Sequence, residues 1–414
     1  ELTILKNSVS KKESSEKNIL SSPTTIDIIN ILEKFLQSND FLCYGGMAIN
    51  NILPPSKQFY DREKQLPDYD FFSKNALKDS KKLADIYYKQ GYENVEAKSG
   101  LHEGTYKVYV NFLQIADITQ METKLFQTLK KSKITVRGID YVPPNFLRMS
   151  VYLELSRPDG DVSRWDKIYN RLQLLNNNIP LESNCKPSQL NVVGKNTDKN
   201  KIYESVKHVL LEYGCVFFGG FAFNLYKRFD KRLPELYSFD VLVNDLESIE
   251  FEINNKLPDI NIQKKKSESK YLPDHILLVH NNVIYARIFQ TKACYSYNIY
   301  RMGKYKAKIA TIYTILSMYL TFTFISKPYF NEFNLLCLCE YILQIYKQNR
   351  LKNKGILKNY NLDCYGKQET FEKIIEKRNE TFEKLKKNKQ SLEYQKWFLR
   401  YNPSDKKNKK TVKK

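Results

Sequence analysis

Histidine and tryptophan are scarce in this sequence, with four and two residues among 414, and Cys-x-x-Cys pairs are absent. His275 and His280 have a spacing that a metal site would accept, but no cysteine pair precedes them, which excludes the common zinc-binding patterns. The seven cysteines are odd in number and scattered along a large chain. We therefore expect an intracellular, soluble protein with reduced thiols and no structural zinc. We also expect no secretory signal peptide, because residues 1–20 are polar.

Long hydrophobic runs are lacking as well. The longest uncharged run, Ile309 to Ser326, falls short of the ~20 residues of a membrane-spanning helix, and hydroxyl side chains interrupt it. We interpret this run as a buried helix and expect no membrane partner.

Acidic residues are few relative to basic ones, 46 against 67, which gives a formal net charge of +21. Such a surplus favours a polyanionic partner, either nucleic acid or an anionic membrane. Frequent Lys, Asn, Ile, Tyr and Phe are typical of an A/T-rich genome, but that bias does not account for the shortage of acids. Nucleic acid is therefore the expected partner.

The chain contains an internal repeat. Residues 43–50, Cys-Tyr-Gly-Gly-Met-Ala-Ile-Asn, are echoed by residues 217–224, Phe-Phe-Gly-Gly-Phe-Ala-Phe-Asn. Each copy continues to an apolar segment with an aspartate, Asp70 or Asp240, and the same 47 positions further on stands Asp117 or Arg287. Landmarks that recur in this order indicate a domain duplication.

Three carboxylates in the first copy form a pattern suited to metal binding. Asp68 and Asp70 stand two apart on a predicted strand, so both side chains share one face of it. A second predicted strand, Tyr106 to Ile118, can bring Asp117 beside them. Three converging carboxylates make the oxygen site that Mg²⁺ prefers, and two such ions can flank an in-line phosphoryl transfer.

A Gly-Gly turn precedes these carboxylates. Gly45 and Gly46 lie between a predicted strand and a predicted helix, where the backbone can approach a triphosphate closely. An Asp-x-Asp pair alone is more often a solvated pair on a strand edge, and Gly-Gly alone is equally unspecific. The ordered set, completed by a later apolar-Asp-apolar strand, is specific.

This ordered set resembles the DNA polymerase β-type nucleotidyltransferase superfamily. The segments Met149 to Asp159 and Ser163 to Leu172 more closely resemble the catalytic subunits of poly(A) polymerases from large cytoplasmic DNA viruses, of the poxvirus and giant-virus type. The resemblance covers about residues 25–330. It implies a viral polynucleotide adenylyltransferase, located in the virion or host cytoplasm, that adds AMP from ATP to single-stranded RNA 3′ ends with Mg²⁺ or Mn²⁺.

The resemblance also implies roles for individual residues. Asp68 and Asp70 would bind both metal ions, and Asp117 would bind the ion at the primer 3′ hydroxyl. The residues implied to contact the triphosphate are Gly45 and Gly46. The chain departs from the superfamily at Met47, where a serine is common, and in the longer connection from the Gly-Gly turn to the carboxylates.

A basic cluster accompanies a further predicted helix, which Ser163 and Asp166 are expected to begin as a capping box. Its members are Arg148, Arg164, Lys167 and Arg171. We favour Lys167, one turn into the helix, as a triphosphate ligand; a solvated helix face is the alternative.

The second copy lacks the chemistry. Ser238 replaces the first aspartate and Arg287 replaces the last, so only Asp240 remains of the carboxylates. An arginine would repel Mg²⁺, and we therefore expect a structural or RNA-binding module.

The predicted architecture is an α+β or mixed α/β fold, with two tandem nucleotidyltransferase-like modules, the first active and the second degenerate, followed by a helical C-terminal region. The predicted bounds are a flexible arm at 1–23, the active module at 24–190, the degenerate module at 191–303, the helical region at 304–405 and a basic tail at 406–414.

Two other functional classes stay open. Another template-independent RNA nucleotidyltransferase, of the tRNA-end or oligoadenylate type, would use the same motifs, and a non-catalytic RNA-binding scaffold would need only the charge. We also expect a homodimer, because the poxvirus-type relatives tether RNA with a partner subunit and this chain shows no appended clamp. The helical segment around Leu335 to Ile342 is the candidate interface, with burial inside one chain as the alternative.

Overall fold

A computed structural model describes residues 22–60, 67–181, 183, 197–229, 236–267, 271–349 and 351–405. Two compact units divide the chain: residues 1–147 together with 370–414 form the first, and residues 148–369 form the second. Residues 1–21 of the predicted arm and the predicted basic tail, 406–414, lie outside the described residues.

An eight-stranded mixed sheet forms the centre of the first unit, in the order β16-β3-β4-β5-β2-β1-β7-β6. Its strands are β1 (Leu42–Tyr44), β2 (Tyr69–Ser73), β3 (Val95–Ser99), β4 (Thr105–Val110), β5 (Leu113–Gln120), β6 (Ile134–Val136), β7 (Ile139–Tyr141) and β16 (Arg400–Tyr401). Strand β2 runs parallel to β5 and antiparallel to β1. The last strand of the chain, β16, completes the sheet by pairing with β3.

The first unit contains helices of two kinds: the four described helices nearest the N-terminus bury apolar side chains, and the last two bury none. They are α1 (Pro23–Gln37), α2 (Gly45–Ile52), α3 (Ala76–Lys89), α4 (Thr123–Lys131), α12 (Phe371–Leu385) and α13 (Leu392–Phe398). The side chain of Ser22 caps α1 by accepting a hydrogen bond from the Thr25 N–H. Helix α3 buries Leu83, Ala84 and Tyr87 and packs against β3, β4 and β5. One face of the sheet is thereby covered.

The segment predicted as a single strand, 106–118, is a hairpin of β4 and β5. Asn111 and Phe112 have φ angles of 48° and 65°, the left-handed values of a tight hairpin turn. The prediction of one continuous strand was wrong because an Asn-Phe pair is not the usual sequence of such a turn, and apolar residues continue on both sides of it.

The second unit repeats this topology. Its sheet has the order β10-β11-β12-β9-β8-β14-β13-β15, in which the first seven strands correspond in order to β3, β4, β5, β2, β1, β7 and β6. Its strands are β8 (Val216–Phe217), β9 (Phe239–Val243), β10 (Asn261–Lys265), β11 (His275–His280), β12 (Val283–Gln290), β13 (Tyr295–Met302), β14 (Tyr305–Ala310) and β15 (Cys364–Tyr365). Even the hairpin turn recurs, at Asn281 and Asn282 with φ angles of 48° and 60°. The predicted duplication and mixed α/β fold are confirmed.

The remaining helices are α5 (Pro144–Leu155), in which the boundary between the units falls, α6 (Trp165–Asn178), α7 (Thr197–Tyr213), α8 (Gly220–Tyr226), α9 (Leu246–Lys256), α10 (Ile312–Thr323) and α11 (Glu332–Asn349). Helix α10 lies within the long uncharged run, and its eleven residues from Ile312 to Phe322 are all buried. In the described part of the chain no helix has both the length and the apolar character to cross a bilayer. The residues just before α10, predicted as helical, are strand β14.

Two further predictions are wrong. Ser163 does not cap α6: Asp161 accepts a hydrogen bond from the Ser163 N–H and begins a short 3₁₀ turn that precedes the helix. The thiols are not all reduced, since a disulfide joins Cys294 and Cys364, whose Cα atoms are 5.3 Å apart. Residues 70 positions apart in sequence meet here through the pairing of β13 with β15, which sequence spacing could not indicate.

Candidate active site

The parallel pairing of β2 with β5 sets two of the predicted carboxylates side by side. Asp70 lies directly opposite Asp117 in the register. Asp68, exposed, comes two residues earlier, immediately before β2 begins. Because side chains alternate along a strand, Asp68 lies on the same face as Asp70.

The alternation of burial explains why this face is polar. Tyr69 and Phe71, on either side of Asp70, are fully buried, as are Ala116 and Ile118 on either side of Asp117. These apolar side chains fill the covered face of the sheet. The carboxylates therefore lie on the opposite, more open face.

Gly45 lies against the Asp70 side chain. Its φ angle is +75°, in the left-handed region that glycine adopts without strain, and it begins α2 directly after β1. A Cβ atom at this position would lie 2.5 Å from Oδ2 of Asp70. A glycine at position 45 is thus required for the aspartate to occupy its position, and Gly46 follows within the first turn of α2.

Lys107 and Gln114 are site residues that the sequence reasoning missed. The Lys107 Nζ lies 3.2 Å from Oδ2 of Asp117, and the Gln114 amide donates to Oδ1 at 3.3 Å. Lys107 also donates to the Gln114 Oε1 at 3.0 Å. Alternation with the buried Tyr106 and Val108 could have placed Lys107 on the open face, but only once the hairpin between β4 and β5 was recognised.

Burial and charge act in opposite directions on Asp117. Burial raises the pKa of the Asp117 carboxyl, and the nearby negative charge of Asp68 adds to the increase. The attraction and hydrogen bond of Lys107 lower the pKa but do not cancel the effect of burial. A site that leaves a carboxylate with a raised pKa favours the binding of further positive charge.

The residues on this face fit divalent cations. The donors are carboxylate oxygens, which Mg²⁺ and Mn²⁺ prefer, and the glycine at position 45 leaves room for the Asp70 carboxylate. In the described part of the chain, the acidic and sulfur side chains whose ligand atoms lie mutually within 4.8 Å are Asp159, Cys294 and Cys364. The three aspartates are not in that group, because their ligand atoms do not all lie within 4.8 Å of one another.

The members of the basic cluster differ in their exposure to solvent. Lys167 is exposed on α6, in the second unit, and its assignment to the triphosphate stays a prediction. Arg148, by contrast, is buried and donates from Nε to Asn176 at 2.8 Å, and burial lowers its pKa to about 10. Arg148 is therefore not one of the surface cations of this cluster.

The second copy preserves the geometry and changes the chemistry. Arg287 lies directly opposite Asp240 in the parallel pairing of β12 with β9, as Asp117 lies opposite Asp70. Both nitrogens of a guanidinium fork reach the carboxylate: Nη2 donates to Oδ2 at 2.8 Å, and Nε donates to Oδ1. Burial works to lower the pKa of Arg287, but the charge and hydrogen bonds of Asp240 outweigh it and the pKa is raised. A side-chain cation fills this site.

Comparisons with known proteins identify relatives of this chain. Residues 30–161 match the model of the poly(A) polymerase catalytic subunit family. A candidate poly(A) polymerase catalytic subunit of Acanthamoeba polyphaga mimivirus is 31% identical over 159 residues, which are 37% of this chain and 27% of the mimivirus protein. The corresponding protein of African swine fever virus, isolate Tick/Malawi/Lil 20-1/1983, is 28% identical over 37% of this chain and 33% of its own length. The match thus spans about a third of these relatives or less.

A solved structure extends the likeness in fold. The crystal structure of the Megavirus polyadenylate synthase superposes with a TM-score of 0.79 at 18% identity, and the match covers 99% of this chain and 88% of that one. At this identity the likeness concerns the fold. The resemblance to viral poly(A) polymerase catalytic subunits, first indicated by the Gly-Gly and aspartate motifs, is therefore confirmed over residues 30–161.

Proposed function

We propose that the chain is a polynucleotide adenylyltransferase that transfers AMP from ATP to the 3′ end of single-stranded RNA. The observation that carries the proposal is the direct pairing of Asp70 with Asp117 on the open face of the first sheet, with Asp68 on the same face and the Gly45 turn against Asp70. The second unit repeats the scaffold with Arg287 bound to Asp240, so the chemistry is assigned to the first unit.

Each candidate site residue of the first unit has a role in this proposal. Asp68 and Asp70 would hold two divalent ions, and Asp117 would hold one of them and orient the primer 3′ hydroxyl. When bound, the ions supply positive charge for the triphosphate and make the hydroxyl easier to deprotonate. The backbone at Gly45 and Gly46, at the N-terminus of α2, lies alongside the triphosphate. The pyrophosphate leaves as the 3′ oxygen bonds to the α-phosphorus.

Adenine as the base, Mg²⁺ or Mn²⁺ as the ion, and action in the virion or host cytoplasm are parts of the proposal that rest on the likeness to the viral relatives. The large positive charge supports RNA as the partner. Binding should therefore weaken with salt, with a logarithmic slope of about −0.7 for each phosphate neutralised.

The test is incorporation of labelled ATP, CTP, GTP and UTP, each added separately with an RNA primer and Mg²⁺. We expect extension by ATP in preference to the other three, and no extension by the Asp70→Asn variant. Extension by CTP then ATP on tRNA ends, or oligoadenylate formation without primer, would point to another nucleotidyltransferase. RNA binding without incorporation of any nucleotide would indicate a non-catalytic RNA-binding scaffold.

A further inference from the structure

A row of basic side chains leads away from the aspartates across the first sheet. Lys107 on β4 lies directly opposite Asp117 on β5. Lys98 on β3 lies directly opposite Lys107, and Arg400 on β16 lies directly opposite Lys98. Directly opposite residues of neighbouring strands share a face of the sheet, so these three cations lie on the face that carries the carboxylates.

The spacing of this basic row (Lys107, Lys98 and Arg400) follows from sheet geometry. Neighbouring strands lie about 4.7–4.9 Å apart, and three strand spacings separate Asp117 from Arg400, a distance of about 14 Å. The side chains of Lys107 and Lys98 are 32% and 39% exposed, and Arg400 is exposed. They are therefore available to a ligand that extends from the aspartates towards the edge of the sheet.

The row ends in a cleft. Lys98 and Arg400 help to line an open cleft of about 940 Å³ between the edge of the sheet and the two C-terminal helices, α12 and α13. The other cations that line it are Lys81, Arg378 and Lys389, and the aspartate is Asp405. The aromatic side chains that line it include Tyr394 and Phe398, whereas Tyr401 alternates with Arg400 and donates to Asp85 of α3 on the covered side. Cations interleaved with aromatic rings are the surface that single-stranded nucleic acid prefers, since phosphates and bases are both accommodated.

The acidic groups near the row are few. Glu96 lies 3.5 Å from the Lys98 ammonium, which also lies 4.0 Å from the centre of the Tyr109 ring. Tyr109 stands opposite Glu96 on the same open face, two residues further along the two strands. The acids beside the row are Glu96 and Asp117, so three cations against two acids leave a net positive path, with an aromatic ring beside it.

We propose that the RNA upstream of the reacting 3′ end follows this basic row, with its phosphates against Lys98 and Arg400, and enters the cleft, where its bases stack on aromatic rings such as Tyr394. The proposal rests on the proposed function, because the aspartate site defines where the 3′ end lies. It assigns to the C-terminal helices and β16, beyond residues 30–161, the task of holding the primer.

The test compares two double variants of the full chain that remove the same charge. Lys98→Gln with Arg400→Gln alters the row, and Lys78→Gln with Lys89→Gln alters exposed lysines of α3, which packs on the covered face. Fluorescence anisotropy measures binding of oligoadenylates of about fifteen and about three nucleotides across a salt series. Because Lys98 and Arg400 are exposed or half-buried, circular dichroism should show both variants folded.

For the longer RNA we expect the slope of log affinity against log salt to become shallower by about 1.4 in the row variant, at about 0.7 for each of two phosphates. A fourfold rise in salt then weakens wild-type binding about sevenfold more than binding of the row variant. The α3 variant should keep the wild-type slope, and the difference should vanish for the short RNA, which does not span the row. Equal slopes for the two variants would overturn the proposal.

A second measurement needs no variant. Photo-crosslinking of the wild-type protein to RNA with 4-thiouridine several nucleotides upstream of the 3′ end should label peptides from residues 391–405, and crosslinks confined to other peptides would contradict the path. Nucleotide incorporation is assayed separately. If the salt slope becomes shallower in the row variant but the wild type incorporates no nucleotide, the proposed function is refuted. If the wild type incorporates nucleotides but the salt slope of the row variant is unchanged, the path alone is refuted.

Discussion

Asp117 is destabilised in its charged form by its own burial, and Lys107 offsets only part of that effect. The folded protein therefore binds a proton at Asp117 more tightly than the unfolded chain does. Stability from this group is present below the ordinary aspartate pKa and is lost as the pH rises through the raised one. At neutral pH without metal, the ionised carboxylate works against folding.

Asp117→Asn should therefore raise the melting temperature at pH 7 in the presence of a chelator, since the amide resembles the protonated acid. Nucleotide incorporation should fall by on the order of a hundredfold or more, because losing a metal ligand costs several kcal/mol of barrier. Differential scanning calorimetry and primer extension measure the two effects. The exposed Asp68, changed to Asn, is the control for stability, with little change expected in the melt; a lower melting temperature for Asp117→Asn would contradict the argument.

Gly45→Ala should reduce both stability and activity. An alanine with a positive φ costs roughly 1–2 kcal/mol, and its Cβ would displace the Asp70 carboxylate, because the two groups would be only 2.5 Å apart. Gly91 is a matched control, because its φ is +95° and no atom lies within 4 Å of an added Cβ. The Gly91→Ala variant should have a lower melting temperature but should extend primers at the wild-type rate. Equal extension by both variants would show that the close approach at Gly45 is not needed.

At the scale of elements, the strand pair β9 and β12 depends on the ion pair between Asp240 and Arg287. Asp240 is 1% exposed, and leaving such a carboxylate without its partner costs about 3–5 kcal/mol. Arg287→Met should lower the free energy of unfolding by that amount, and adding Asp240→Asn should restore part of it. Urea unfolding followed by tyrosine fluorescence provides the measurement. Nucleotide incorporation by folded Asp240→Asn should remain near the wild-type rate, since the second unit is assigned no chemistry.

The C-terminal helices belong to the first unit although residues 148–369 separate them from it in sequence. Arg378 donates to the carbonyl oxygens of Gly100 and Leu101 at 2.8 and 3.1 Å, and the Ser99 N–H donates to the Leu399 carbonyl at 3.0 Å. Deleting residues 370–414 should therefore destabilise the first unit and abolish primer extension. Deleting residues 406–414 should leave the melt unchanged and weaken RNA binding only modestly. A 370–414 deletion with a wild-type melting curve would contradict the assignment.

Local patterns predicted part of the first unit. The Gly-Gly turn predicted the passage from β1 into α2. Pairings between distant segments could not be predicted. The two-residue strand β16 carries no periodic signal, and its partner β3 lies some three hundred residues earlier, so only tertiary contacts specify it. Lys107 was missed for the same reason, because its partner depends on a register.

The aspartates illustrate the same limit within the candidate site. Their spacing along the chain predicted a common face, and the structure gives Asp70 and Asp117 as direct neighbours. The spacing could not indicate that Asp117 contacts Lys107 and Gln114, since those contacts depend on the hairpin turn at Asn111 and Phe112.

For the whole molecule, self-association is the remaining prediction. Leu335, Leu338 and Ile342 of the candidate interface are all buried within the single chain, at 5%, 8% and 0% exposure, so a dimer would have to use other surfaces. We still expect a dimer by light scattering at micromolar concentration, since a second basic surface would raise the effective concentration of RNA at each site. A monomer mass together with processive extension by the pure protein would show that one chain tethers its own product.

The cation built into the second unit also bears on the history of the duplication. Replacing Arg287 by an acid would leave two carboxylates facing each other on neighbouring strands, and Asp240 is buried. The third carboxylate would still be missing, because position 238 holds a serine. The first mutational step back to a metal site therefore lowers stability before any catalytic benefit exists. Selection acting one substitution at a time would remove that intermediate. Once acquired, the arginine therefore makes the evolution of a metal site in the second unit by single substitutions unfavourable.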